Sequence, residues 1–478
     1  MAETRTLRDV IVYNELAGMV GYDQVSQNPV DIQAYTRGRA GWPPAKPDFV
    51  VWPGTVAEVS EIVKLANVLK FPVIPYCGGS GGGGMTTPLQ DGTVILDTKR
   101  LNKVLDIDGT NLTCTAQTGI IGQELEWQLN AQGYTYAHLP QSQYCSGLGG
   151  FLASRSAGTL STKYGKVEDM VLGMEVVLPT GGIMRTQAFP QSAAGPNLNR
   201  IFLGSEGMLG VITEATLAVH PMPEVRRNRG FMLPSMHAGF EAIRKVMRRG
   251  LRPASVRLSD EEETQRMYRL ERTGAQLIMT WDGFEELVDL EERESVRIIL
   301  EEGGEDLGHE VGERWWDQRY TMCYPTDSGE HSFVNLTLQG KAIGAVWDTA
   351  GSFTALEAVH AEMKKAVTRI KGTHFMAHFS HWYKTGGMMY PYIINKEISS
   401  PDNIPEMYYR LQRAAISAVL RVPGCTVNHH HGIGYRLGGF MKYEFSEAGH
   451  QAYQQIKRAL DPNNIMNPGK QGLEWREQ

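Results

Sequence analysis

Three imidazoles in a row, His429, His430 and His431, stand directly before Gly432-Ile433-Gly434. Imidazole titrates near neutrality, so such a cluster beside a reacting carbon could take up or return a proton. The plainer alternative is a partly exposed polar loop. A second pair, His378 and His381, lies in HFSHWYKTGGMMYPY (378–392), which also carries Tyr390 and Tyr392. Two imidazoles alone make a poor metal site; supporting or core imidazoles fit better, and no metal is expected. Far upstream, PYCGGSGGGG (75–84) ends in glycine broken only by Ser80 from residue 78 onward. Backbone N–H groups there can approach phosphate oxygens with no Cβ in the way. A tight turn is the alternative.

Ordered elements must hold these groups. TVAEVSEIVKLANVLK (55–70) spaces Val56, Val59, Ile62, Val63, Ala66 and Leu69 along one helical face, and Thr55 with Glu58 reads as a capping box. FPVIP precedes the glycine run and TVILD follows it as a strand pattern. VLDID and LTCTAQTG read as strands about Asp108-Gly109, then GQELEWQLNAQ as a helix stopped by Gly133. MEVVLPTGGIMRT reads as two strands about Thr180-Gly181-Gly182. FLGSEGMLGVITEATLAV runs from a glycine turn into an alternating strand. From about 225 to 422, charged helical segments (DEEETQRMYRLER, EELVDLEERESVRIILEEGG, FTALEAVHAEMKKAVTRI) alternate with apolar pieces such as AQLIMTW and MMYPYII. This predicts a second, α+β domain whose acidic runs are solvated helix faces.

At 478 residues, two or three domains are expected. A net charge of −6 gives no reason to expect nucleic acid or an anionic membrane. Five scattered cysteines without CxxC read as reduced thiols in a cytoplasmic protein. The first residues lack the apolar core of a signal peptide, and no stretch is long enough for a membrane span.

The order of the motifs is more specific than any one of them. The glycine loop, then GGFLASRSAG with a following YG, then GSEGMLGVIT, then DPNNIMNPGK, resembles the vanillyl-alcohol oxidase/p-cresol methylhydroxylase superfamily of flavoproteins. Within it, PASVRLSD (253–260), the 378–392 segment and the histidine triplet are similar to the alkyldihydroxyacetonephosphate synthase branch. The resemblance implies an α+β fold: a two-subdomain FAD-binding region at 1–224 (core 45–222), a cap with an antiparallel sheet at 225–422, and a return segment at 423–478. It implies FAD as cofactor. Tyr76, Cys77, Gly78, Gly79, Ser80, Gly81, Gly82 and on to Gly84 would wrap the pyrophosphate. Gln141, Ser142, Gly147, Ser154, Arg155, Ser156 and Ala157 would line the flavin, and Glu206, Gly207, Gly210, Val211 and Ile212 the adenine-ribose side. Tyr390 matches the family's catalytic tyrosine and His430 the centre of its histidine triplet, flanked by His429 and His431.

Two departures shape the functional expectation. Hydroxyacid dehydrogenase relatives read HxGDGNxH where this chain has HFSHWYKTGG, which argues against metal-dependent hydroxyacid chemistry. The ether-lipid synthases carry a phosphate-binding arginine after a W-x-x-x-R-F/Y element; here RWWDQRY (314–320) is followed by MCYPTD, with Thr326 in the arginine's place. Losing that charge-assisted fork argues against a phosphate ester. Trp315, Trp316, Tyr320, Tyr324, Trp347, Trp382, Tyr383, Met388 and Met389 suggest an aromatic-walled pocket. The expectation is an oxidoreductase that oxidises a small aromatic or phenolic alcohol or side chain, with Tyr390, Tyr392 and Arg319 as candidate phenolate partners. Oxygen or another acceptor would reoxidise the flavin. A redox-neutral transferase and a D-2-hydroxyacid dehydrogenase are the alternatives. Ser80 stands where some relatives attach FAD through histidine, which excludes attachment in that loop; a cap histidine could still serve, and non-covalent FAD is the expectation. Dimers are common in the resembled family.

Overall fold

The computed structural model describes residues 6–36, 46–268, 273–321, 342–398 and 400–473. Its first sheet has Val94–Asp97 between Phe49–Val51 and Val73–Tyr76, all parallel, with Val25–Ser26 antiparallel at one edge. Val94–Asp97 is buried along its whole length, as a strand covered on both faces must be. The helix Val56–Leu69 packs Val59, Ile62, Val63 and Ala66 onto this sheet. Thr55 caps it by accepting from the Glu58 N–H at 3.2 Å. The Glu58 carboxylate reaches one residue further back than a capping box requires, to the Gly54 N–H at 2.7 Å.

A second, antiparallel sheet orders Val104–Asp108, Thr113–Gln117, Val211–Ala218, Val171–Val177 and Ile183–Arg185. Both expected hairpins are present. Alternation in Val211–Ala218 is real: Ala215 and Leu217 are fully buried.

A large antiparallel sheet fills the later part of the chain. Its order is Glu305–Gly308, Val225–Leu233, Ala275–Gly283, Ser255–Ser259, Thr373–Tyr383, Gly386–Asn395 and Ile343–Ala345, with Thr349–Ser352 also on Gly386–Asn395. Helices Met236–Arg248, Glu285–Glu301, Phe353–Thr368 and Ile404–Arg421 share one apolar core with it. The acidic helix Glu285–Glu301 buries Val288, Ile298 and Ile299 and leaves most of its carboxylates outside, as expected. The α+β class with an antiparallel sheet is therefore the observed one. Among the described residues no helix is long and apolar enough to cross a membrane.

Later residues stitch the first sheet shut. Val73 donates to Ile465 O at 2.7 Å and accepts from the Asn467 N–H at 2.8 Å. Lys457, buried, donates to Met208 O at 2.9 Å and Met466 O at 2.7 Å and pairs with Asp461.

Candidate functional site

A cavity of ≈ 1240 Å³ runs from the glycine loop to the large sheet. Tyr76, Cys77, Gly79, Ser80, Gly81 and Gly82 line one end, with Gln141 and Ser142 beside them. Gly79 sits at φ +63°, and a Cβ there would lie 2.2 Å from the Tyr76 hydroxyl, so only glycine makes this turn. The Ser80 hydroxyl bonds the Ser146 hydroxyl. Ser154, Ser156 and Ala157, from the end of the short helix Leu148–Ser154 onward, form the next stretch of wall. Glu206, Gly207, Gly210, Val211 and Ile212 complete that side.

Several expected residues do other work. A Cβ on Gly78 would meet Cys145 O at 2.3 Å, and one on Gly147 would meet Cys77 Sγ at 2.1 Å. These two glycines let the loops press on each other and do not line the cavity. Arg155 turns outward to Glu168 at 3.0 Å, its side chain half exposed. Gly84 makes room for the Tyr435 ring, 2.3 Å from the position its Cβ would take. The glycine run thus serves packing as well as the cavity. Glu206 accepts the N–H groups of Ile433 at 2.6 Å and Gly434 at 2.9 Å, and burial pushes its carboxyl up to about 7. It fastens the turn after the histidine triplet to the first half of the chain.

At the other end, His430 and His431 line the cavity and His429 lies behind them. Sequence reasoning missed what organises them. Asp348, fully buried, receives His430 Nδ1 at 3.0 Å, His431 Nδ1 at 2.8 Å, the His429 and His430 backbone N–H groups at 3.0 and 2.8 Å, and Asn428 Nδ2 at 2.9 Å. Burial raises its carboxyl, but His431 and His430 outweigh that and hold it well below the carboxylate range. No nearby sequence motif marks this aspartate, some 80 residues upstream of the triplet. Burial and the neighbouring His431 push the His430 imidazole down to about 4. Asp348, His430 and His431 bring ligand atoms within 4.8 Å of one another, but each contact with the carboxylate is already a hydrogen bond from an N–H.

Tyr390 stands between two histidines. It stacks on His378, centroids 4.8 Å apart and 15° between planes, and meets His431 edge-on at 5.3 Å. His378 Nδ1 bonds Glu263 at 3.1 Å, and Glu263 pairs with Arg257 at 2.8 Å. Burial raises the Glu263 carboxyl, but Arg257 and then His378 pull it down to about 2. His378 is buried and pushed down to about 4 by that burial and by Arg257. The supporting-imidazole reading describes its contacts. His381 occupies φ +52° at a register break in Thr373–Tyr383, a strained turn that aims a side chain into the cavity.

The aromatic wall is smaller than expected. Trp315, Trp347 and Met388 line the cavity, joined by Tyr392 and Tyr408. Trp382 is fully buried against Phe240 and Phe353, and Met389 lies in the same core. Trp316, Tyr320 and Tyr383 are not in the wall, because their rings pack on Arg319 and His429. Arg319 lines the cavity, its guanidinium 3.8 Å over Trp316, and burial pulls its pKa down. Tyr324 and Thr326 lie outside the described residues.

A dinucleotide cofactor fits this cavity. Its volume exceeds the ~300–1,000 Å³ usual for a small-ligand pocket. Glycines stand bare at one end, and Gln276 Oε1 and Arg319 Nε are buried in the wall without a hydrogen-bond partner. Comparisons agree. Residues 47–187 match the FAD binding domain, and residues 222–471 match the FAD linked oxidases, C-terminal domain. Alkyldihydroxyacetonephosphate synthase of Dictyostelium discoideum is 30% identical over 91% of this chain and 74% of its own. A solved alkyldihydroxyacetonephosphate synthase superposes with a TM-score of 0.79 at 26% identity, over 98% of this chain and 86% of that one. Substrate-bound p-cresol methylhydroxylase gives 0.77 at 20% identity over 98% of each chain, a likeness of fold.

Proposed function

This chain belongs to the FAD-linked oxidase family, and from that membership we propose that it oxidises a small aromatic or phenolic alcohol or side chain. It is an FAD-dependent oxidoreductase; the substrate class is our inference. The observation that carries it is Tyr390, set between His378 and His431 on a wall shared with Trp315, Trp347 and Tyr392. Flat rings suit such a wall.

Residues 1–224 would hold FAD without a covalent bond, 225–422 would cap it, and 423–478 would bring the histidines back over it. When bound, FAD supplies a hydride acceptor. The protein's part is positioning and proton work. Glycines 79, 81 and 82 leave N–H groups open toward the pyrophosphate. With Nδ1 bonded to Asp348, His430 keeps Nε2 to accept the substrate hydroxyl proton. The Tyr390 hydroxyl donates to the substrate oxygen as charge builds there. Arg319 offers its unpartnered Nε–H to a phenolate. Trp315 and Trp347 exclude water. Oxygen or another acceptor would then take the electrons, and the working form would be a cytoplasmic homodimer.

Anaerobic mixing with a panel of substrates tests the reading. Lasting loss of the flavin's visible band with an aromatic alcohol, restored by air, is expected. Loss with 2-hydroxy acids alone would overturn the substrate class. A transient loss with an acylated dihydroxyacetone phosphate would establish instead the redox-neutral transferase reading, which the similarity to the synthases favours.

A further inference from the structure

Alcohol oxidation releases one proton inside the cavity, and it must leave. His430 Nδ1 lies 3.0 Å from His429 Nδ1, and His429 Nε2 lies 2.7 Å from the Tyr383 hydroxyl. Tyr383 is partly exposed as a residue, although burial pushes its hydroxyl up, and it opens the hairpin turn whose next two residues, Lys384 and Thr385, are exposed. We propose that His430, His429 and Tyr383 form a proton path from the cavity to the surface.

Two other contacts of the cluster end in buried groups. Asp348 is fully buried and surrounded by donors. His381 stacks on His429 at 5.3 Å and bonds Ser161, itself buried. The His429 carbonyl accepts from Lys166 Nζ at 2.7 Å, which anchors the backbone that carries its ring. Asp348 also sets the starting tautomer: its carboxylate favours the proton on His430 Nδ1 and leaves Nε2 as the acceptor, and only once Nε2 is protonated does the Nδ1 proton move on to His429.

The transfers balance. The substrate hydroxyl proton goes to His430 Nε2. The Nδ1 proton of His430 passes to His429 Nδ1. The Nε2 proton of His429 passes to the Tyr383 oxygen, whose own proton leaves to water. Each imidazole gains a proton at one nitrogen and gives one up at the other, and no electron moves.

This path rests on the proposed oxidation, but its first test does not. In protein labelled with ¹⁵N-histidine, Tyr383→Phe should shift the His429 nitrogen resonances and leave those of His378 in place. The measurement needs no substrate, so it stands even if no alcohol bleaches the flavin. Unmoved His429 resonances would overturn the path. With a substrate that does bleach, a pH-indicator dye should show proton release delayed roughly tenfold in Tyr383→Phe and in His429→Gln. Release as fast as in the unaltered protein would sink the proposal.

Discussion

The Asp348 carboxylate lies 3.0 Å from His430 Nδ1, two residues 82 positions apart that share one buried cluster. Replacing Asp348 with asparagine removes the charge that fixes the His430 tautomer. A hydrogen bond to a buried charged group contributes about 1.5–3 kcal/mol. Urea unfolding should show a loss of that order, and flavin reduction should slow more than Asp348→Glu slows it.

Tyr390→Phe and His430→Ala should each slow flavin reduction by roughly 10²–10⁴-fold, the range for a lost proton-transfer group. Stopped-flow bleaching measures it. Reduction at the unaltered rate in both variants would remove them from the chemistry.

His378 is held neutral: its folded-state value is about 4, below the ordinary 6.5, through burial and then Arg257. As pH falls from about 6.5 toward 4, the unfolded chain takes up a proton that the folded protein refuses. Stability is therefore present above 6.5 and declines through that window, by up to about 1.4 kcal/mol per pH unit. Unfolding curves at several pH values should show a shallower decline in His378→Gln. An identical slope would mean that His378 is protonated in the fold.

Gly79→Ala places a Cβ against Tyr76 in a left-handed turn. Strain of about 1–2 kcal/mol should weaken FAD retention roughly tenfold. Comparing bound flavin after gel filtration, with circular dichroism to check the fold, decides it. Full retention would show that the loop does not shape the cofactor end.

The elements around the glycines were legible because their patterns are local. Thr55, the 56–69 face and both hairpins of the second sheet follow from spacing alone. The helix Leu148–Ser154 escaped notice because LGGFLAS carries glycine where a helix would prefer alanine; tertiary contact decides it. Histidines and Tyr390 could be singled out from residue type and resemblance. Asp348 and Glu206 could not be given their parts. Each bonds across a long sequence gap to backbone N–H groups that no pattern marks. Trp382 and Met389 misled in the opposite sense: an apolar residue beside a site residue alternates into the core just as readily.

The seam at Val73 has a consequence for how the molecule is made. Asn463 bonds Asn67 across 396 residues, and Ile465 and Asn467 bracket Val73. During synthesis the sheet carrying the glycine loop emerges early and waits, its edge open, for almost everything else. Closing so long a loop is slow relative to local structure. Until then the unpaired strand is exposed to wrong partners. Until residues 461–467 emerge from the ribosome, the strand that leads into the glycine loop lacks the partner that closes its edge.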